Sequence, residues 1–173
     1  MKKIITFAVL LGCFSIGLSC KAQDKSKRPS PPALVTQKIA SGAQVSIDYS
    51  QPSVKNRTIG KDLEPKEGQV WRTGANEATV FETDKAVKIN GKELPAGKYA
   101  LFTISGKENW TIIFNKTWKQ WGAYDYKQAD DALRIDAKTA RSETFAEVMT
   151  FSIDKSGQVT LLWGDNKIVF KVA

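Results

Sequence analysis

From residue 33 onward the chain is a succession of short runs of β-branched, aromatic and aliphatic residues, each closed by glycine, proline, asparagine or serine after roughly eight to twelve residues. Val45, Ile47 and Tyr49 alternate with Ser46, Asp48 and Ser50, which is the period-two pattern of a half-buried strand. Asn90-Gly91 sits between alternating residues in 86–94 and specifies a two-residue type I′ hairpin, because both positions tolerate positive φ. Further strands are expected over 34–39, 99–104, 110–114, 143–154, 159–163 and 167–172, with 164–166 as a turn. Ala129 and Leu133 are four apart among Asp130, Asp131 and Arg134, which allows one short helix and no more. Nine or ten short strands with turn signals define an all-β, antiparallel sandwich or barrel-like domain of jelly-roll type.

The first 32 residues differ in kind. Lys2 and Lys3 precede an apolar run over 4–20, too short for a comfortable membrane span, and together they read as an export signal over 1–20. Ser19-Cys20 suits lipidation at Cys20; Cys20-Lys21-Ala22 suits ordinary cleavage after Ala22. The first is favoured because the apolar run stops at Cys20 and a basic, Ser/Pro-rich stretch, 21–32, follows with the composition of a disordered tether. The domain is then 33–173, in an outer-membrane-anchored, periplasmic or secreted protein whose contact with membrane is limited to a lipid at Cys20. Five of the eight net positive charges fall in the first 28 residues, leaving +3 for everything beyond, so no phosphate-binding footprint and no nucleic-acid partner are expected.

Neither Cys lies in the domain and the chain has no His. Disulfides, thiolate nucleophiles, Cys/His zinc sites and imidazole bases are therefore excluded, and any chemistry must run on carboxylates, Lys, Tyr, Ser/Thr or a carboxylate-bound hard metal. No metal site and no cofactor are expected.

Residues 70–79 carry the densest polar cluster, Arg72, Thr73, Asn76 and Glu77, in a turn between strands ending at Trp71 and starting at Val80. Gly74 offers positive φ to that turn. Arg72 and Glu77 either present a planar fork and an orienting carboxylate to a ligand, or pair internally to hold the turn. A second cluster lies in the non-periodic loop 115–126, where Trp118, Trp121, Tyr124 and Tyr126 alternate with Asn115, Lys119, Gln120 and Asp125. These rings form a ligand platform or plug the core beneath the loop. Asp48, Glu77, Asp125, Asp130 and Asp131 supply carboxylates for a glycosidase-like pair.

Taken together, residues 45–55, 70–79, 94–104, 113–115 and 120–124, with Trp-Arg-Thr-Gly-Ala-Asn-Glu-Ala at 71–78 as the most specific stretch, give a chain that resembles the exported bacterial family called domain of unknown function 2911. The likeness covers nearly all of 31–172. It implies an envelope-located β-sandwich-like domain and carries no catalytic residue with it. The function expected is a non-catalytic module binding a small polar ligand, a carbohydrate or a protein partner through Arg72, Thr73, Asn76, Glu77, Asn115, Trp121 and Tyr124. A carboxylate-based hydrolase and a purely structural lipoprotein are the alternatives.

Overall fold

The computed structural model describes residues 24–173, so the stretch expected to be an export signal, with Cys20, lies outside the described residues. Ten strands follow in order: β1 (Pro32–Lys38), β2 (Gln44–Ser50), β3 (Val70–Trp71), β4 (Thr79–Thr83), β5 (Val87–Ile89), β6 (Lys92–Leu94), β7 (Gly97–Ile104), β8 (Asn109–Asn115), β9 (Asp131–Ile153) and β10 (Gln158–Lys171). They pair in the order β1-β2-β4-β7-β8-β9-β10, with β3 beside β7 and β5–β6 as a separate hairpin. Every strand pairing is antiparallel. The sheet curls until the chain leaving β2 meets the free edge of β9: the Val54 amide donates to the Glu147 carbonyl (2.9 Å) and the Met149 amide to the Pro52 carbonyl (3.0 Å). The all-β, barrel-like class holds.

Period-two alternation sends Val45, Ile47, Phe81, Leu101, Ile112, Phe114, Leu161 and Trp163 to the inside. Phe114 is the hub, meeting Phe81, Phe170 and Tyr99 edge-on at 5.0, 6.1 and 6.5 Å. The long loop 54–69 is pinned at its apolar residues Val54, Ile59 and Leu63, and by the Trp163 indole N–H donating to the Glu64 carbonyl at 2.8 Å. A smaller core lies on the outer face, where Ala78, Ala100, Phe102 and Ile113 are covered by Ala123 and Tyr126 of the aromatic loop.

Asn90 and Gly91 take φ of 47° and 85°, as the type I′ expectation requires. Three local expectations fail. The short helix is a single 3₁₀ turn, Gln128–Asp130, because pairing of Asp131 with Asn115 and of Leu133 with Phe114 draws the next residues into β9. Strand β9 starts at Asp131 rather than at 143; its stretch 138–148 is largely exposed and shows no alternation that a sequence pattern could reveal. Residues 164–166 do not reverse the chain. Register shifts flank Gly164 within one strand, and Ile59 Cδ1 would lie 2.5 Å from a Cβ there, so the glycine lets the pinned loop cross β10.

Candidate functional site

The central turn is braced from within. Thr73 and Asn76 take positive φ (55° and 59°), whereas Gly74 does not; its lack of a side chain is needed because a Cβ would sit 3.0 Å from both the Ser50 carbonyl and Thr79 Oγ1. The Trp71 indole N–H donates to the Gly74 carbonyl (3.1 Å) and the Thr79 hydroxyl to the Thr73 carbonyl (2.8 Å). Thr73 is fully buried, its hydroxyl 3.2 Å from that of Thr103. Asn76 Nδ2 donates to the Ser30 carbonyl at 3.1 Å.

Two backbone hydrogen bonds zip this turn to the aromatic loop, Ala78 N–H to the Gln120 carbonyl (3.0 Å) and Gly122 N–H to the Asn76 carbonyl (3.1 Å), so Glu77 and Trp121 stand side by side. The aromatic loop is in turn tied at its base by Asn115. Its amide is fully buried, donates to the Lys127 carbonyl (3.0 Å) and Asp131 Oδ1 (2.8 Å), and accepts from the Thr117 amide (2.9 Å). Tyr126 packs edge-on against Phe102 at 5.1 Å and donates to Asp131 Oδ2 at 2.8 Å. Burial, with the Asp131 carboxylate beside it, pushes the Tyr126 hydroxyl up to about 12, so it stays a proton donor to that carboxylate.

Between the aromatic loop, the outer face of β2 and β4 and the segment before β1 lies a cleft of about 420 Å³. Asp48, Glu77, Gln120, Trp118 and Trp121 line it, with Lys25 and Lys119 at its edge. A further hollow of about 360 Å³ shares Asp48, Val80 and Trp118 and runs on toward Leu34, Glu82 and Lys98. The two indoles are partly free, Trp118 38 % and Trp121 52 % exposed. Each has a cation over its ring, Lys98 Nζ 5.3 Å from Trp118 and the Arg28 guanidinium 5.9 Å from Trp121.

Glu77 is not paired with Arg72. Arg28 Nη1 donates to both of its oxygens, at 3.0 and 2.8 Å, and Lys25 Nζ lies 3.2 Å away. Burial works to raise this carboxyl, but the hydrogen bonds from Arg28, from its own backbone and from Lys25 outweigh it and hold Glu77 below the usual range. Asp48 moves the other way: burial, reinforced by the charge of Glu77, raises it against the pull of Lys25 and Lys98.

Of the residues singled out from sequence, Glu77 and Trp121 meet in this cleft, with Asp48 and Trp118 from the carboxylate and ring sets. Thr73 and Asn115 are buried and bonded within the chain, and Asn76 holds the segment before β1. Tyr124 is 82 % exposed and does not line the cleft. Arg72 does not line the cleft: it borders a separate pocket, and its Nη1 lies 3.2 Å from where a Cβ on Gly122 of the aromatic loop would stand. Arg28 and Lys25 were missed, since residues 21–32 read as a tether; the one signal was Pro29, Pro31 and Pro32, which favour a stiff extended path rather than a flexible one.

No curated protein and no solved structure matches the chain. A family model described as "Protein of unknown function (DUF2911)" matches residues 30–172, nearly the whole of the described domain, and the chain belongs to that family.

Proposed function

We propose that the protein is a non-catalytic binding module of the cell envelope, exported by its N-terminal segment, and that its ligand is a carbohydrate held in the Trp118–Trp121 cleft. The observation that carries this is the pairing of two partly exposed indoles with Asp48, Glu77 and Gln120 around one concavity. Flat apolar ring faces suit the C–H faces of a sugar, and carboxylate and amide oxygens accept from its hydroxyls. Arg28 and Lys25 hold Glu77 ionised, so it serves as a fixed acceptor.

One observation favours the hydrolase alternative: the Asp48 and Glu77 carboxyls are pushed in opposite directions, as an acid and a base would be. Against it stands the state of Glu77, both of whose oxygens already accept from Arg28, leaving it a poor nucleophile or base. Tryptophan fluorescence titrated with a panel of neutral, amino and acidic oligosaccharides tests the two together. Binding is expected to saturate and to weaken at least about tenfold in Trp121→Ala, the loss of one stacked ring. Absence of saturable binding across the panel refutes the binding module. Release of reducing ends that disappears in Asp48→Asn replaces it with the hydrolase.

A further inference from the structure

Beside the central turn, and separate from the cleft, a pocket of about 200 Å³ is lined by Arg57, Glu64, Trp71, Arg72, Gly74 and Trp163, among others. Its polar groups are almost all engaged. The Trp71 and Trp163 indole N–H groups donate to the Gly74 and Glu64 carbonyls, and Arg57 Nε and Nη2 donate to the Val54 and Ser53 carbonyls at 3.0 and 2.7 Å. Glu64 Oε2 accepts from the Lys66 amide at 2.9 Å. Arg72 is the exception: its Nε is buried without a hydrogen-bond partner, and no carboxylate pairs with its guanidinium among the described residues. A guanidinium N–H buried without an acceptor is unfavourable, and the fork geometry of the group matches a carboxylate bidentately.

We propose that this pocket is a second site, taking a small organic monocarboxylate whose two oxygens meet Arg72 and whose short apolar part lies against Pro52 and Leu63. Charge and size choose the ligand. Two arginines against one glutamate leave a single net positive charge, which balances a monoanion and disfavours a dianion such as phosphate. The partly exposed Pro52 and Leu63 favour carbon over a hydrated inorganic ion, and the volume admits only a small molecule. The site shares no lining residue with the oligosaccharide cleft and stands or falls independently of it.

Sodium propionate titrated into the full chain against sodium chloride at constant ionic strength tests this, read by thermal melting and tryptophan fluorescence. The melting temperature should rise with propionate and keep rising in proportion to the logarithm of its concentration, up to about 100 mM, the range a millimolar site needs. Arg72→Met should abolish the rise, and Arg72→Lys, which keeps the charge but loses the fork, should weaken apparent affinity at least about tenfold. Glu64→Gln should strengthen it, and inorganic phosphate should give a smaller rise than propionate. A wild-type protein indifferent to propionate, a rise that persists unchanged in both Arg72 variants, or equal rises with phosphate and propionate would overturn the proposal.

Discussion

The contact that most alters the picture of this domain is the grip of Arg28 on Glu77, and a double-mutant cycle measures it. Arg28 is only 15 % exposed in its side chain and Glu77 38 %, so the pair lies between the exposed and buried limits. Exposed ion pairs contribute about 0.2–1 kcal/mol and hydrogen bonds to charged groups about 1.5–3 kcal/mol. With both Glu77 oxygens engaged but solvent screening one partner, a coupling of about 1–1.5 kcal/mol is expected. Loss of the Arg28 stack on Trp121 adds roughly 0.5 kcal/mol to Arg28→Met alone. At about 2–4 °C per kcal/mol for a domain of this size, Arg28→Met should lower Tm by about 3–8 °C, Glu77→Gln by somewhat less, and the double variant by less than the sum.

Melts of the four proteins at neutral and acid pH suffice. Because the folded-state value of Glu77 is depressed, its contribution is fully present above the ordinary carboxyl value of 4.5 and is lost as pH falls through the lower folded value. The gap between wild type and Glu77→Gln should therefore close on acidification. Asp48 contributes with the opposite sign, favouring folding when protonated and opposing it as pH rises through its raised value. The wild-type pH profile is thus a difference of two terms, and the cycle is needed to isolate one of them. A coupling below about 0.3 kcal/mol at neutral pH would refute the clamp and return residues 24–31 to the status of a free tether.

Two further outcomes test the local architecture. Asn115→Ala should cost about 2–4 kcal/mol in thermal melts, since it deletes a fully buried amide with three hydrogen bonds, and limited proteolysis should then cut within 116–127. Gly91→Val should cost about 1 kcal/mol or more through backbone strain alone, because φ is +85° and nothing lies within 4 Å of an added Cβ; a neutral melt would contradict the type I′ turn.

What the sequence displays and what it conceals divide along the range of the interactions. Asn90-Gly91 and the alternation through Val45, Ile47 and Tyr49 are legible because their causes lie within a few residues. Gly164 was legible as a special backbone position but not as a kink inside β10, since its reason is Ile59, more than a hundred residues earlier. Thr73 and Asn115 look like surface polar residues until their partners, Thr103 and Asp131, are folded against them. The Arg72–Glu77 pair was the natural inference from proximity in sequence, yet the carboxylate binds Arg28, 49 positions away. Short-range charge spacing predicts pairing well on helices, where geometry is fixed, and poorly across a turn, where Arg72 and Glu77 line different concavities.

The cleft itself follows from register. One cross-strand row links Leu34, Asp48, Val80, Ala100, Asn115 and Asp131 through five successive pairings across β1, β2, β4, β7, β8 and β9. At the β8–β9 end the row is covered, with Asn115 and Asp131 tying down the aromatic loop and Ala100 packed beneath it. At the β1 end it is open, and Leu34 is 68 % exposed. The cleft lies where cover gives way to solvent, at Asp48 and Val80, so the loop's edge supplies Trp118 and Trp121 while the sheet supplies the carboxylate. A one-residue slip of β2 against β4 would send Asp48 into the core and Ile47 into the cleft, which the burial of Ile47 and Phe81 on the opposite face forbids. The same inward alternation that builds the main core therefore fixes which polar residue faces the rings, and the position of Asp48 needs no separate stabilisation of its own.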